Sequence, residues 1–377
     1  MKANVVHILS SFGMGGQERV AFDLAVAQLR AGCRVTALSL APPPDGPLAA
    51  EFRAAGIAVE RVARPRPGVD LRLIARLAWW LRKHRTQLVH THNRMALIYG
   101  APAARLAGAA VVHTKHGNNP KGGTRLIAGN LAARWVDAFV AVSPETAAFA
   151  RKRKEVDERR LSVISNGIEL GRFHPDAAAR DRVRAELGIA ADAWVIGTVG
   201  RVAEEKNQAL LLRAMAPLLG PRARLIVAGD GPLLPALSEL AAALGIAGFV
   251  HLLGVRRDVP EILNALDVFA MSSSTEGLPL VVLEAMATGL PVVSTAVGGI
   301  PTVLDEGRTG FLVAAGDAAA LRDRAAALHA DPAASRACGE RGRSAAVTRF
   351  SAERMQRDYL ELYARVLSGK SATVART

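Results

Sequence analysis

Only two of the 377 residues are cysteine, Cys33 and Cys338, one in each half of the chain. So low a count excludes a disulfide framework, points to a reducing compartment, and leaves both thiols as small apolar side chains. Aromatic residues make up 5%. They are not interleaved with cations as a nucleic-acid surface requires, and no binding-module motif is found, so a nucleic-acid partner is not expected. No run approaches the roughly 20 uninterrupted apolar residues of a membrane-spanning helix. The chain opens Met1-Lys2-Ala3-Asn4 and passes straight into an apolar run without a small-residue cleavage site. That start argues against a signal peptide and for a cytoplasmic protein. No Cys/His cluster has zinc spacing, and no metal site is expected.

Negative charge is scarce in one half only. Residues 1–175 hold 26 Lys and Arg against 12 Asp and Glu, whereas residues 176–377 hold 22 of each, so the net charge of +14 lies entirely in the first half. A basic half expects an anionic partner: phosphate, nucleic acid or a membrane surface. Composition does not choose among them.

What is abundant is apolar: half of the residues are hydrophobic, enough for two cores of ordinary size. Apolar runs that read as strands, 4–12, 33–40, 58–62, 87–92, 110–116 and 138–142, alternate with helical patterns over 18–30, 70–85, 95–106 and 124–136. The alternation restarts with strands at 194–200, 224–228, 250–253, 268–271, 291–294 and 310–313, separated by helices at 208–219, 235–244, 259–264, 280–288 and 318–329. Such alternation predicts parallel sheets with crossover helices, and strands apolar throughout are covered on both faces. The polar stretch from Asn166 to Asp176 reads as a linker. The expected architecture is α/β: two doubly wound, Rossmann-like domains facing across a cleft, 1–172 and 173–350, with a final helix over about 351–368 packing back on the first. In such folds ligands sit at the carboxyl ends of the strands.

The unusual residues fall in those loops. Gly13-Met14-Gly15-Gly16-Gln17-Glu18 follows the first strand; its glycines suit phosphate approach at a helix N-terminus, or simply a tight turn. Glu18 stands where the dinucleotide fingerprint needs its last glycine, which weakens a dehydrogenase reading. Gly200-Arg201 and Lys206 bracket a loop before the next helix, as a diphosphate clamp does, although solvated cations beside Glu204 and Glu205 would look the same. Ser272-Ser273-Ser274-Thr275-Glu276-Gly277-Leu278-Pro279-Leu280 leads to Glu284. These two carboxylates, about 12 Å apart along a helix axis, cannot form the close pair of a retaining glycosidase but can hold two parts of one extended ligand. Glu284 suits a ribose diol and Glu276 a hexose; for either residue taken alone, a helix-capping or surface role is favoured.

His116 ends a strand before Gly117, where a binding role is favoured, while His90 and His92 end the preceding strand. His90 reads as structural, and His92, beside Asn93, could line an acceptor site. Lys115, Lys121 and Arg125 flank His116 and could meet an acidic acceptor. On the 70–85 helix Leu73, Ile74, Leu77 and Leu81 form an apolar stripe, and Arg72, Arg76, Trp79 and Lys83 share another face. A basic stripe with an interfacial Trp fits a membrane-surface helix, and fits an ordinary solvated face as well.

Taken in order, Gly15-Gly16-Gln17-Glu18, Thr114-Lys115-His116-Gly117, Asn166-Gly167-Ile168, Gly200-Arg201 with Lys206-Asn207, Gly229-Asp230-Gly231-Pro232, the Glu276/Glu284 segment, Gly289-Leu290-Pro291 and Gly298-Gly299-Ile300-Pro301 span nearly the whole chain. The set resembles the retaining family-four glycosyltransferases of the GT-B fold. The resemblance implies that Arg201 and Lys206 meet the donor diphosphate and Glu284 the ribose. It also implies that His116 and Glu276, the candidate catalytic residues, lie near the transferred sugar, and that Gly277 and Leu280 bind the donor. Gly15 and Gly16 would approach the diphosphate, and backbone near Val255 the base. Glu169 and Thr302 depart from the usual Asp and Glu, at positions with no assigned role.

The implied reaction moves a hexose or N-acetylhexosamine from a nucleotide-diphosphate sugar to a glycan or lipid-linked acceptor, with retention, in cell-envelope or exopolysaccharide synthesis. Asp-x-Asp occurs nowhere, so the transfer is expected to be metal-independent, with no cofactor beyond the nucleotide-sugar co-substrate. The basic half would work peripherally at the inner face of the membrane. A nucleotide-sugar epimerase or a phosphorylase could share the fold; a phosphorylase needs a cofactor lysine, and none is identifiable.

Overall fold

A computed structural model describes residues 2–64, 70–117 and 123–369. The chain forms two compact units, residues 1–167 with 352–377, and residues 168–351.

The first unit alternates β1 (Asn4–Leu9), α1 (Gly16–Arg30), β2 (Arg34–Ser39), α2 (Leu48–Ala54), β3 (Ala58–Arg61), α3 (Leu71–Lys83), β4 (Leu88–Thr91), α4 (Arg94–Ala107), β5 (Ala110–Lys115), α5 (Thr124–Ala133), β6 (Ala138–Ala141), α6 (Pro144–Lys152) and β7 (Leu161–Val163). All strands pair in parallel, in the order β3-β2-β1-β4-β5-β6-β7. Helix starts are written locally: Asp70, Asn93 and Ser143 each accept a backbone N–H at the head of α3, α4 and α6. Gly108 ends α4 in the left-handed region at φ +77°. Leu73, Leu77 and Leu81 are buried against the sheet, as their spacing predicts.

The second unit runs α7 (Ala177–Glu186), β8 (Trp194–Val199), α8 (Gln208–Met215), β9 (Ala223–Ala228), α9 (Leu234–Ala243), β10 (Val250–Leu252), α10 (Val259–Asn264), β11 (Val268–Met271), α11 (Leu280–Ala287), β12 (Val292–Thr295), β13 (Phe311–Val313), α12 (Ala318–Ala330) and α13 (Pro332–Arg349). Its parallel sheet has the order β10-β9-β8-β11-β12-β13. The last helix, α14 (Ala352–Leu367), belongs to the first unit, where it packs on α1 and β5.

Strand order reverses between β1 and β4 in one sheet and between β8 and β11 in the other. These are the switch points at which doubly wound sheets open a crevice beyond the carboxyl ends of their strands. Four short elements, α2, α6, α7 and β7, carry too little periodicity to be read from sequence. Most strands stop before their apolar runs do: Phe12, Leu40 and His116 all lie beyond the last paired residue.

Candidate active site

At the β8/β11 switch point two loops are bound to each other. A one-turn helix, Glu204–Lys206, ends at Asn207, a left-handed residue with φ +48°. Ser272 Oγ donates to the carbonyls of Lys206 (3.1 Å) and Asn207 (2.8 Å), and the Ser274 amide donates to Glu205 O at 2.9 Å. The β11 loop thereby holds Lys206 in place. Lys206 Nζ lies 2.6 Å from Glu276 Oε1, and the same oxygen accepts from Ser273 Oγ at 2.7 Å. The pair is largely shielded, with side-chain exposures of 24% and 9%.

A third loop presses on the second. Gly298 has φ +56°, and a Cβ there would collide with the carbonyl of Glu276; the Gly299 amide donates to Gly277 O at 2.5 Å. Gly298-Gly299 therefore sets the height of the Glu276-Gly277 backbone. Gly229 and Gly231 allow the β9 loop to lie against Gly200 and Val202 in the same way, since a Cβ on either would strike those carbonyls. Arg201 is exposed beside this contact, and its carbonyl accepts from Gln208 Nε2 at 2.9 Å. Pro279 precedes α11, Glu284 sits partly exposed on that helix, and Val255 is 64% exposed.

At the β1/β4 switch point the first unit gathers histidines. His7, His90 and His92 are fully buried, and half-buried His116 lies just past β5, its Nε2 3.2 Å from His92 Nδ1. Burial drives His7 down to about pKa 4 and His116 to about 3, and holds His90, His92 and His113 well below the ordinary imidazole value. All stay neutral near pH 7. Gly15 and Gly16 are exposed at the head of α1; Glu18 folds back so that its carboxylate occupies the space a Gly15 Cβ would need, and burial raises its pKa.

Residues 14–172 match the model described as Glycosyltransferase Family 4, and residues 179–345 match that of Glycosyl transferases group 1. The chain is 32% identical, over 337 residues and 80% of each chain, to a D-inositol 3-phosphate glycosyltransferase of Actinosynnema mirum. It is a GT-B glycosyltransferase of the family-four type. A UDP-Gal:alpha-D-GlcNAc-diphosphoundecaprenol alpha-1,3-galactosyltransferase of Escherichia coli is 32% identical over 262 residues, 66% of this chain and 67% of that one. The crystal structure of Anabaena HepE with UDP and glucose superposes with a TM-score of 0.87 at 24% identity, covering 96% of this chain and 99% of that one, a likeness of fold.

In this glycosyltransferase the structure brings Lys206, Glu276 and Gly277 together in one hydrogen-bonded junction, with Arg201 in the loop that leads to it. It corrects two expectations. His92 does not line a surface: it is fully buried, with both ring nitrogens bonded to other histidines. Lys115 does not face an acceptor either. It is 7% exposed and its Nζ lies 2.8 Å from buried Glu155, which also receives Arg94 at 3.0 Å; a strand position inside the sheet forces that internal pairing. Lys121 lies outside the described residues. Arg72, Arg76, Trp79 and Lys83 are all exposed on α3, with Lys83 Nζ 4.9 Å from the Trp79 ring centre. Sequence reasoning missed Ser273, hidden in a serine run, together with Gln28, Tyr359 and Tyr363, which no motif marks.

Proposed function

We propose that the chain transfers a hexose or N-acetylhexosamine from a nucleotide-diphosphate sugar to a glycan or lipid-linked acceptor, with retention of configuration and without a metal ion. The observation that carries this reading is the Lys206–Glu276–Ser273 junction at the β8/β11 switch point, with Arg201 exposed in the adjoining loop. A departing nucleoside diphosphate requires positive charge where its oxygens gain charge. Lys206 and Arg201 supply it there, which leaves no need for the Asp-x-Asp carboxylates that the sequence lacks. Glu276, fixed by Lys206 and Ser273, presents its second oxygen to a sugar diol, and Glu284 on α11 accepts from the ribose. Val255 offers backbone to the base, and Gly15 and Gly16 suit close approach to a phosphate.

Retention follows if the acceptor attacks on the face that the leaving phosphate departs from, the phosphate oxygen taking the acceptor proton. His116 then acts as a hydrogen-bonding group toward the sugar, since its low pKa keeps it uncharged. A lipid-linked acceptor in envelope or exopolysaccharide synthesis is supported by the diphosphoundecaprenol named for the Escherichia coli relative and by the basic first half. The place of work is then the inner face of the cell membrane; among the described residues no helix is long and apolar enough to cross one.

The test is transfer from UDP-, GDP- and ADP-sugars to soluble acceptors, in excess EDTA and again with Mg²⁺, with the product anomer read by NMR. Activity in EDTA with a retained anomer is expected; complete loss that Mg²⁺ restores overturns the metal-free mechanism. Glu284→Ala should weaken nucleoside diphosphate binding by about 1.5–3 kcal/mol in calorimetry, the scale of a hydrogen bond to a charged group.

A further inference from the structure

Eight polar side chains of the first unit, most of them buried, form one unbroken series of hydrogen bonds. His116 Nε2 meets His92 Nδ1 at 3.2 Å, His92 Nε2 meets His7 Nδ1 at 2.8 Å, and His7 Nε2 meets Gln28 Oε1 at 2.9 Å. Gln28 Nε2 then donates to Tyr363 Oη at 3.2 Å, and Tyr363 Oη meets His90 Nδ1 at 2.5 Å. His90 Nε2 meets Thr114 Oγ1 at 2.7 Å, which meets Tyr359 Oη at 2.9 Å. Gln28, on α1, is 1% exposed and joins the two branches.

The amide decides where the protons of the His7–His92–His116 branch sit. A carbonyl oxygen only accepts and an NH₂ only donates, whereas a neutral imidazole carries one donor and one acceptor. Gln28 Nε2 donates to Tyr363 Oη, so its nitrogen faces Tyr363 and its oxygen faces His7. His7 must then carry its proton on Nε2 and accept at Nδ1. His92 in turn donates from Nε2 and accepts at Nδ1, and His116 donates from Nε2. Burial, which keeps these rings uncharged, removes the doubly protonated escape.

We infer that Gln28 is a positioning residue that holds His116 in the neutral Nε2–H tautomer, leaving Nδ1 as a hydrogen-bond acceptor for a sugar hydroxyl. The hydroxyl rests on the reading of His116 given above; the tautomer rests on the hydrogen bonds among uncharged rings. His7, His90 and His92 are also close enough for their ligand nitrogens to lie within 4.8 Å of one another. A metal ion would have to displace the proton shared by His7 and His92 and the one between Tyr363 and His90, whereas the hydrogen-bonded series satisfies all three rings as they stand.

The experiment is long-range ¹H–¹⁵N correlation on the full chain labelled at histidine, with His116 assigned by its disappearance in His116→Gln. At pH 7.5 the expected pattern for His116 is a neutral ring protonated at Nε2; an Nδ1–H or doubly protonated ring overturns the inference. Gln28→Leu should bring in a second tautomer and lower turnover about tenfold, the worth of one hydrogen bond, with the donor KM little changed. Gln28→Glu, whose carboxylate still accepts from His7, should keep a single tautomer and most of the turnover. Should Gln28→Leu not fold, Gln28→Glu and the unmodified chain carry the test. An unchanged tautomer in a folded Gln28→Leu protein overturns the role of Gln28, and so does one equivalent of zinc that shifts the His7, His90 and His92 signals together. A tautomer that shifts as expected, with transfer intact in His116→Gln, upholds the relay and overturns the sugar contact.

Discussion

Lys206 Nζ and Glu276 Oε1 lie 2.6 Å apart although 70 positions separate them in the chain. The cation that would face a diphosphate and the carboxylate that would face a sugar are thus one ion pair, and each sets the position of the other. Breaking one partner leaves the other charge shielded and unmatched.

A double-mutant cycle measures that dependence. Lys206→Met and Glu276→Gln should each destabilise the fold, and the double variant should lose less than their sum, with a coupling of about 1 kcal/mol or more in urea unfolding. Additive losses would mean that the pair is not formed in solution.

Gly298 and Gly307 both adopt positive φ, +56° and +70°, but only Gly298 faces a backbone carbonyl, that of Glu276. Gly307→Ala should cost about 1 kcal/mol of left-handed strain and leave activity intact. Gly298→Ala should cost more in thermal unfolding and also lower transfer, because Glu276-Gly277 must move. Equal effects of the two on both readouts would remove the positioning role of Gly298.

The buried histidines make the first unit acid-sensitive. His7 titrates near 4 when folded and near 6.5 when unfolded, so between those values only the unfolded chain takes up the proton. Its contribution is complete above pH 6.5 and is lost as pH falls to 4, about 3 kcal/mol from this ring alone. Urea midpoints should fall steadily from pH 6.5 to pH 4.5, and His7→Gln should flatten that fall.

The exposed face of α3 is expected to dock on an anionic membrane. Each cation near such a surface contributes about 1 kcal/mol, so changing Arg72, Arg76 and Lys83 to Gln should weaken co-sedimentation with anionic liposomes by roughly two orders of magnitude at low salt. Turnover of a short soluble acceptor should be unaffected. If the unmodified chain ignores such liposomes even at low salt, the charge of the first half serves an acidic soluble acceptor instead.

Periodicity and punctuation determined a good deal. Runs such as Ala138–Ala141 and Val268–Met271, apolar throughout, determined parallel covered strands, and the glycine- or serine-rich loops after such strands are visible in the sequence itself. The Glu276/Glu284 spacing, Gly200-Arg201 and Lys206 could be read because short-range chemistry is written in neighbouring residues. What only the tertiary structure decided is which distant side chains meet. Lys115 and His116 are adjacent in sequence, yet one pairs internally with Glu155 and the other lies half-buried beyond the strand end. Gln28 and Tyr363 carry no local pattern at all, although 335 positions apart they share a hydrogen bond. Helix and strand form from interactions a few residues long, which a sequence displays directly. A buried polar network forms because desolvated donors and acceptors must find partners wherever the packed chain brings them, and those partners are set by the fold as a whole.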